Sequence, residues 1–122
     1  MRIIEITEDD EGCSHFSDSE LELAESAYAP PAPPLRTSAP IPGATGVFFT
    51  MPSGWSGAWH PSPCRQLYVQ TTGELEVEVG DGEVRRLFPG DVVLVADVAG
   101  RGHRTTVIGA VDVSGVFLQL EG

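Results

Sequence analysis

The chain has 122 residues, enough for one hydrophobic core and a single domain. Its formal charge of −11 argues against nucleic acid and anionic membranes as partners, because both need a basic face. All seven basic residues are arginine, so neither Schiff-base chemistry at a lysine nor a lysine-containing phosphate loop is available.

In chain order, RIIEI (2–6) has the apolar, β-branched character of a first strand. Residues 7–29 are polar and acidic, interrupted by Ser14-His15-Phe16, with ELELAESAYA (20–29) suited to a strand or a weak helix. Nine of the 18 acids fall within residues 1–25, against the single base Arg2, which reads as a solvated acidic arm. PPAPPLRTSAPIP (30–42) holds six prolines and cannot donate to a central ladder, so it should run extended over the surface or along a sheet edge. Ile3, Ile4, Phe16 and Leu21 call for burial, which predicts that residues 1–45 form an arm packed on a barrel made by 46–122.

From residue 46 onward the pattern is regular. GVFFTM (46–51) is apolar, QLYVQT (66–71) alternates, and ELEVEV (74–79) sets three glutamates against Leu75, Val77 and Val79, the signature of one wet face and one buried face. Gly80-Asp81-Gly82 and Pro89-Gly90-Asp91 mark turns on either side of EVRRLF (83–88). VVLVA, HRTTVIG (103–109) and VSGVFLQL (113–120) complete the set. Short strands with glycine and proline turns at this spacing predict an all-β fold, an antiparallel sandwich or barrel.

Two stretches carry chemistry. In GWSGAWHPSPCRQLYVQTTG, Gly54 is followed after five residues by His60, and Ser62, Gln66 and Gly73 follow at fixed intervals. This resembles the first cupin motif, in which a second His stands where Ser62 is and a Glu where Gln66 is. Pro89-Gly90-Asp91 with Gly100-Arg101-Gly102-His103 resembles the second motif, although Val98 replaces its proline and Val107 its asparagine. The resemblance spans about residues 46–120 and implies a double-stranded β-helix, or jelly-roll barrel, with His60 and His103 at metal-ligand positions. It also implies a homodimer, a role the proline-rich arm suits.

With Ser62 and Gln66 in place of His and Glu, the implied set of His60, His103 and Gln66 has no anionic ligand, so any Fe, Mn, Ni, Cu or Zn would be bound weakly. Three-histidine metal sites exist among cupins, and His15 is the chain's remaining histidine, able to reach the pocket if the arm covers its mouth. Without metal, two imidazoles facing one pocket suit general acid–base catalysis near neutral pH. Gln66, Ser62 and Tyr68 are candidates to hold a carbonyl or enolate oxygen. Arg65 and Arg104 are candidates for a substrate carboxylate, and Trp55 and Trp59 for a flat apolar ligand. Cys13 and Cys64 have neither zinc spacing nor a disulfide framework and read as reduced thiols. Three functions fit: an acid–base lyase, isomerase or cyclase acting on a small molecule, a metal-dependent dioxygenase, and a non-catalytic small-molecule binder. No stretch reaches the roughly 20 apolar residues of a membrane span, and MRIIEITEDDEG lacks a signal pattern, so the expectation is a cytoplasmic protein.

Overall fold

The computed structural model describes residues 1–120, so the last two residues of the expected barrel segment lie outside it. Eleven strands are formed among the described residues: β1 (Arg2–Glu8), β2 (Ser14–Glu20), β3 (Ala24–Ser26), β4 (Leu35–Thr37), β5 (Thr45–Met51), β6 (Gln66–Thr72), β7 (Glu74–Glu78), β8 (Val84–Leu87), β9 (Val92–Val95), β10 (Arg104–Ile108) and β11 (Val113–Gln119). None of the described residues is helical, so the ELELAESAYA stretch contributes only the short β3. Among the described residues no helix is long and apolar enough to cross a membrane.

The strands form a six-stranded sheet in the order β2-β1-β9-β6-β11-β5 and a three-stranded sheet in the order β10-β7-β8, while β3 and β4 pair as a separate hairpin. Alternation decides which side chains face inward. From the large sheet come Ile6, Tyr68, Val93 and Val95, and from the small sheet Leu75, Val77, Leu87 and Val107, all in one buried cluster. Each of the aliphatic side chains contributes roughly 1.5–3 kcal/mol by leaving water. The result is an all-β jelly roll with its core between the sheets.

Period two in β7 works as the sequence predicts. Leu75 and Val77 are buried, and Glu74, Glu76 and Glu78 lie on the other face. There Arg86 Nη1 and Nε donate to Glu74 (2.6 Å) and Glu76 (3.1 Å), and Arg104 donates to Glu78 (2.9 Å). The β7–β8 turn needs the positive φ of Gly82, 92°, which a glycine adopts without steric cost.

The N-terminal boundary differs from the one expected at residue 45. β1 lies inside the large sheet, antiparallel to β2 and parallel to β9, with Ile4 opposite Val93 and Ile6 opposite Val95. Burial of Ile3, Ile6 and Phe16 drives this, whereas Leu21 stays exposed. Residues 1–20 are therefore two strands of the sheet rather than an arm laid on it. Only the stretch from residue 21 to 44 behaves as an excursion, mostly exposed around β3 and β4.

Candidate functional site

His60 and His103 meet because their backbones pair. His60 N–H donates to the His103 carbonyl (3.0 Å) and His103 N–H donates to the His60 carbonyl (3.1 Å), an isolated antiparallel bridge. Directly opposed residues in such a bridge project to the same side. The two imidazole centroids are accordingly 5.0 Å apart. Gly102 makes this approach feasible: its φ is +82°, and a Cβ there would collide with the His60 carbonyl.

Hydrogen bonding fixes how each ring presents itself. His60 Nδ1 lies 2.8 Å from the Ala58 carbonyl, which can only accept, so Nδ1 carries the proton. His103 Nδ1 lies 2.6 Å from Asp97 Oδ2, and the carboxylate holds that ring in the same tautomer. In the neutral rings this places the lone pair of each on Nε2. Asp97 is fully buried, and its Oδ1 has no hydrogen-bond partner among the described residues. It sits on the loop after β9, where its carbonyl accepts from Ser62 N–H (3.0 Å) and so ties it to the chain beside His60.

The imidazoles line a cavity of about 210 Å³ between the sheets. His60 is exposed at its mouth and His103 is buried. Most of the lining is apolar, including Ile6, Trp55, Val77, Val93 and Phe117, and no arginine or carboxylate among the described residues faces it. Gln66 and Tyr68 point inward from β6, as their shared parity requires, and Ser62 also lines the space. The hydroxyls differ from expectation. Tyr68 Oη–H donates to Gln70 Oε1 (2.7 Å) and Ser62 Oγ–H donates to the Cys64 carbonyl (2.6 Å), so both protons are committed. Burial pushes the Tyr68 phenol well above its usual range, so it stays neutral. Gln66 Nε2 has no protein partner among the described residues and remains the free donor of the three.

Four other expected site residues lie elsewhere. Arg104 alternates outward from Thr105, pairs with Glu78 and stands 5.4 Å from the Trp59 ring centroid. Trp59 is stacked outside the cavity beneath Arg101, whose guanidinium is 3.9 Å from the ring centroid. Arg65 is exposed and does not line the cavity. His15 does not reach the mouth: it lies between Asp9 (2.9 Å) and Asp81 (3.0 Å) at the junction of the β1–β2 and β7–β8 turns. Sequence reasoning missed Asp97 and Thr105. Thr105 was accessible to it, since it shares parity with His103 and faces the cavity. Asp97 was not, for no periodicity governs a loop.

The resemblance implies a metal held by His60, His103 and Gln66. Two imidazole Nε2 atoms, one braced by a carboxylate, suit a transition metal. The rest do not complete the set: Ser62 is turned onto Cys64, Gln66 offers a neutral amide oxygen, and no carboxylate among the described residues lines the cavity. The residues do not fit a resident, charge-compensated centre.

No protein-family model matches the chain, and no curated protein matches it in sequence. Among solved structures, the chain is similar to the Cnp3 cupin domain of Schizosaccharomyces pombe, with a TM-score of 0.50 and 15% identity, covering 99% of this chain and 83% of that one. Identity at that level carries the fold and nothing finer. With two facing sheets, a cavity between them and this likeness, the chain has a cupin fold.

Proposed function

We propose that the cavity binds a small, uncharged, largely apolar molecule bearing one carbonyl group and moves a proton on it, as isomerases and lyases do. The observation that carries this reading is the pair of imidazoles 5.0 Å apart, each with Nδ1 committed and Nε2 free. A neutral Nε2 is the natural base near pH 7. His103, braced by Asp97, takes a proton from the carbon beside the carbonyl, and Asp97 stabilises the imidazolium that results. The electron pair moves onto the carbonyl oxygen, where Gln66 Nε2–H donates to the developing charge. His60, protonated at Nε2 from solvent at the mouth, returns a proton to a neighbouring carbon. Proton exchange through solvent then resets both rings.

The cavity's character sets the substrate class. About 210 Å³ exceeds the roughly 150 Å³ that admits benzene, so a single-ring or short-chain molecule fits. Among the described residues no arginine faces inward, and the Asp97 carboxylate stands behind His103, so no permanent positive charge selects for a carboxylate substrate.

The test is deuterium exchange at C–H groups of small ketones and aldehydes, followed by NMR in D2O with chelator-treated protein. We expect exchange with wild type and at least a hundredfold loss in His103→Ala and His60→Ala, with ligand binding retained. Binding without exchange across the panel would identify a binder. Activity that requires a stoichiometric transition metal would favour the oxygenase reading and reject this one.

A further inference from the structure

Away from the cavity, the β1–β2 turn gathers three metal-ligating side chains of different chemistry. Asp9, Cys13 and His15 place a carboxylate oxygen, a thiol sulfur and an imidazole nitrogen within 4.8 Å of one another. We propose that these residues form a site for a zinc-like divalent cation, with Asp81 as the residue that orients His15. It is separate from the cavity: Asp9 and Cys13 come from the β1–β2 turn and His15 from the start of β2, and none of them lines that space.

Backbone structure presets the arrangement. Asp9 N–H donates to the Cys13 carbonyl (3.0 Å), and Gly12, with φ +78°, donates to the Asp9 carbonyl (3.0 Å). Asp9 Oδ1 accepts from Glu11 N–H (2.9 Å) and Cys13 N–H (3.0 Å), which holds the carboxylate over the turn and leaves Oδ2 facing His15. His15 uses Nε2 toward Asp9 and Nδ1 toward Asp81. Nδ1–H donates to Asp81 and Nε2–H to Asp9, so an incoming cation would displace the Nε2 proton and find that nitrogen already facing Asp9. A carboxylate behind an imidazole is the support that metal-bound histidines usually have.

Thiolate, imidazole and carboxylate are the ligand types zinc takes, at about 2.0–2.3 Å, which puts ligand atoms roughly 3.3–3.8 Å apart in a tetrahedron. To reach that spacing the Asp9–His15 contact opens from 2.9 Å while Cys13, within 4.8 Å of both, moves inward, and all three sit on partly or fully exposed positions. A water completes the fourth position. Binding releases two protons, one from the Cys13 thiol and one from His15 Nε2, and replaces the Asp9–His15 contact with two metal bonds. The chain's charge of −11, with Asp10 and Glu11 beside the turn, attracts a cation.

The site would also bear on the cavity. Ser14, between the two ligands, donates from Oγ to the Gly102 carbonyl (2.7 Å) and accepts from Gly80 N–H (2.7 Å). A cation at the turn would hold this stitch beside the glycine on which the His60–His103 bridge depends.

The experiment titrates Co2+ into the chelator-treated full-length chain and follows the thiolate-to-cobalt charge-transfer absorption. We expect one equivalent to saturate the band and Zn2+ to displace it. Cys13→Ser should abolish it, His15→Ala and Asp9→Asn should weaken affinity at least tenfold, and Asp81→Asn should weaken it by roughly tenfold. Cys64→Ser and the double variant His60→Ala/His103→Ala should leave it intact. In wild type, Zn2+ should protect Cys13 but not Cys64 from alkylation, read by peptide mass, so the outcome does not depend on any variant folding. A missing band, a band that survives Cys13→Ser, a band lost with Cys64→Ser, or equal protection of both cysteines would overturn the site. These outcomes are independent of the barrel chemistry, because the exchange assay runs without metal.

Discussion

Two histidines in this chain lean on aspartates, and burial separates what each contact does. His103 and Asp97 are enclosed, with side chains 11% and 0% exposed, whereas His15 stands between Asp9 and Asp81 at 41% exposed, with those partners 44% and 33% exposed. In the open cluster, solvent screens the charges and the contacts contribute little to stability. In the enclosed pair, the carboxylate has one oxygen on His103 and the other without a partner among the described residues, an arrangement that costs stability. One contact fixes a tautomer that faces a cavity. The other joins two surface turns.

The comparison is broken most severely at Gly102. Gly102→Ala places a Cβ against the His60 carbonyl at positive φ, and should cost about 3 kcal/mol or more in urea unfolding. A wild-type midpoint would show that the histidine bridge is not tight. Asp97→Ala leaves the His103 Nδ1–H buried without an acceptor and should cost roughly 1–3 kcal/mol. Asp97→Asn sharpens the point: 15N NMR of the His103 ring should move from the Nδ1–H toward the Nε2–H tautomer, with a large fall in any proton-exchange activity. An unmoved tautomer would remove Asp97 from the site.

The open cluster should give a smaller, pH-dependent effect. Hydrogen bonds to Asp9 and then Asp81 raise the His15 pKa above 6.5, so its contribution is complete below that value and is lost as pH rises through the folded pKa. His15 lowers the pKa of Asp9 below 3.8, and the Glu83 backbone with His15 lowers that of Asp81, so their contributions are complete above 3.8 and fade as pH falls through the folded values. The difference in melting temperature between wild type and His15→Gln, measured with chelator, should therefore be greatest between pH 3.8 and 6.5 and shrink on either side. A difference that keeps growing above that window would contradict the cluster's geometry. Least affected should be Arg65→Gln, with stability changed by less than about 0.5 kcal/mol and cavity binding unchanged in calorimetry.

Much of the fold was legible because period two is a local property. Glu74, Glu76 and Glu78 alternate with apolar residues, and their strand appears where that pattern lies. β2 was harder: SHFSDSE is polar almost throughout, and Ser14 and Phe16 are its buried positions. It forms because β1 offers it a ladder, which no window of residues 14–20 reveals. In the site, motif spacing singled out His60, Gln66 and His103, and all three line one cavity. Parity alone could not settle Arg65, Arg104 or Trp59, whose partners lie on other strands or in loops.

By itself, the sequence determined the all-β class, most strand positions and the pair of histidines, since alternation, turn residues and motif spacing are written along the chain. Tertiary structure alone decided the tautomers, the committed hydroxyls of Ser62 and Tyr68, the carboxylate behind His103 and the cluster around His15. Those depend on atoms from distant segments meeting within hydrogen-bond reach, and such meetings are set by how the two sheets close on each other.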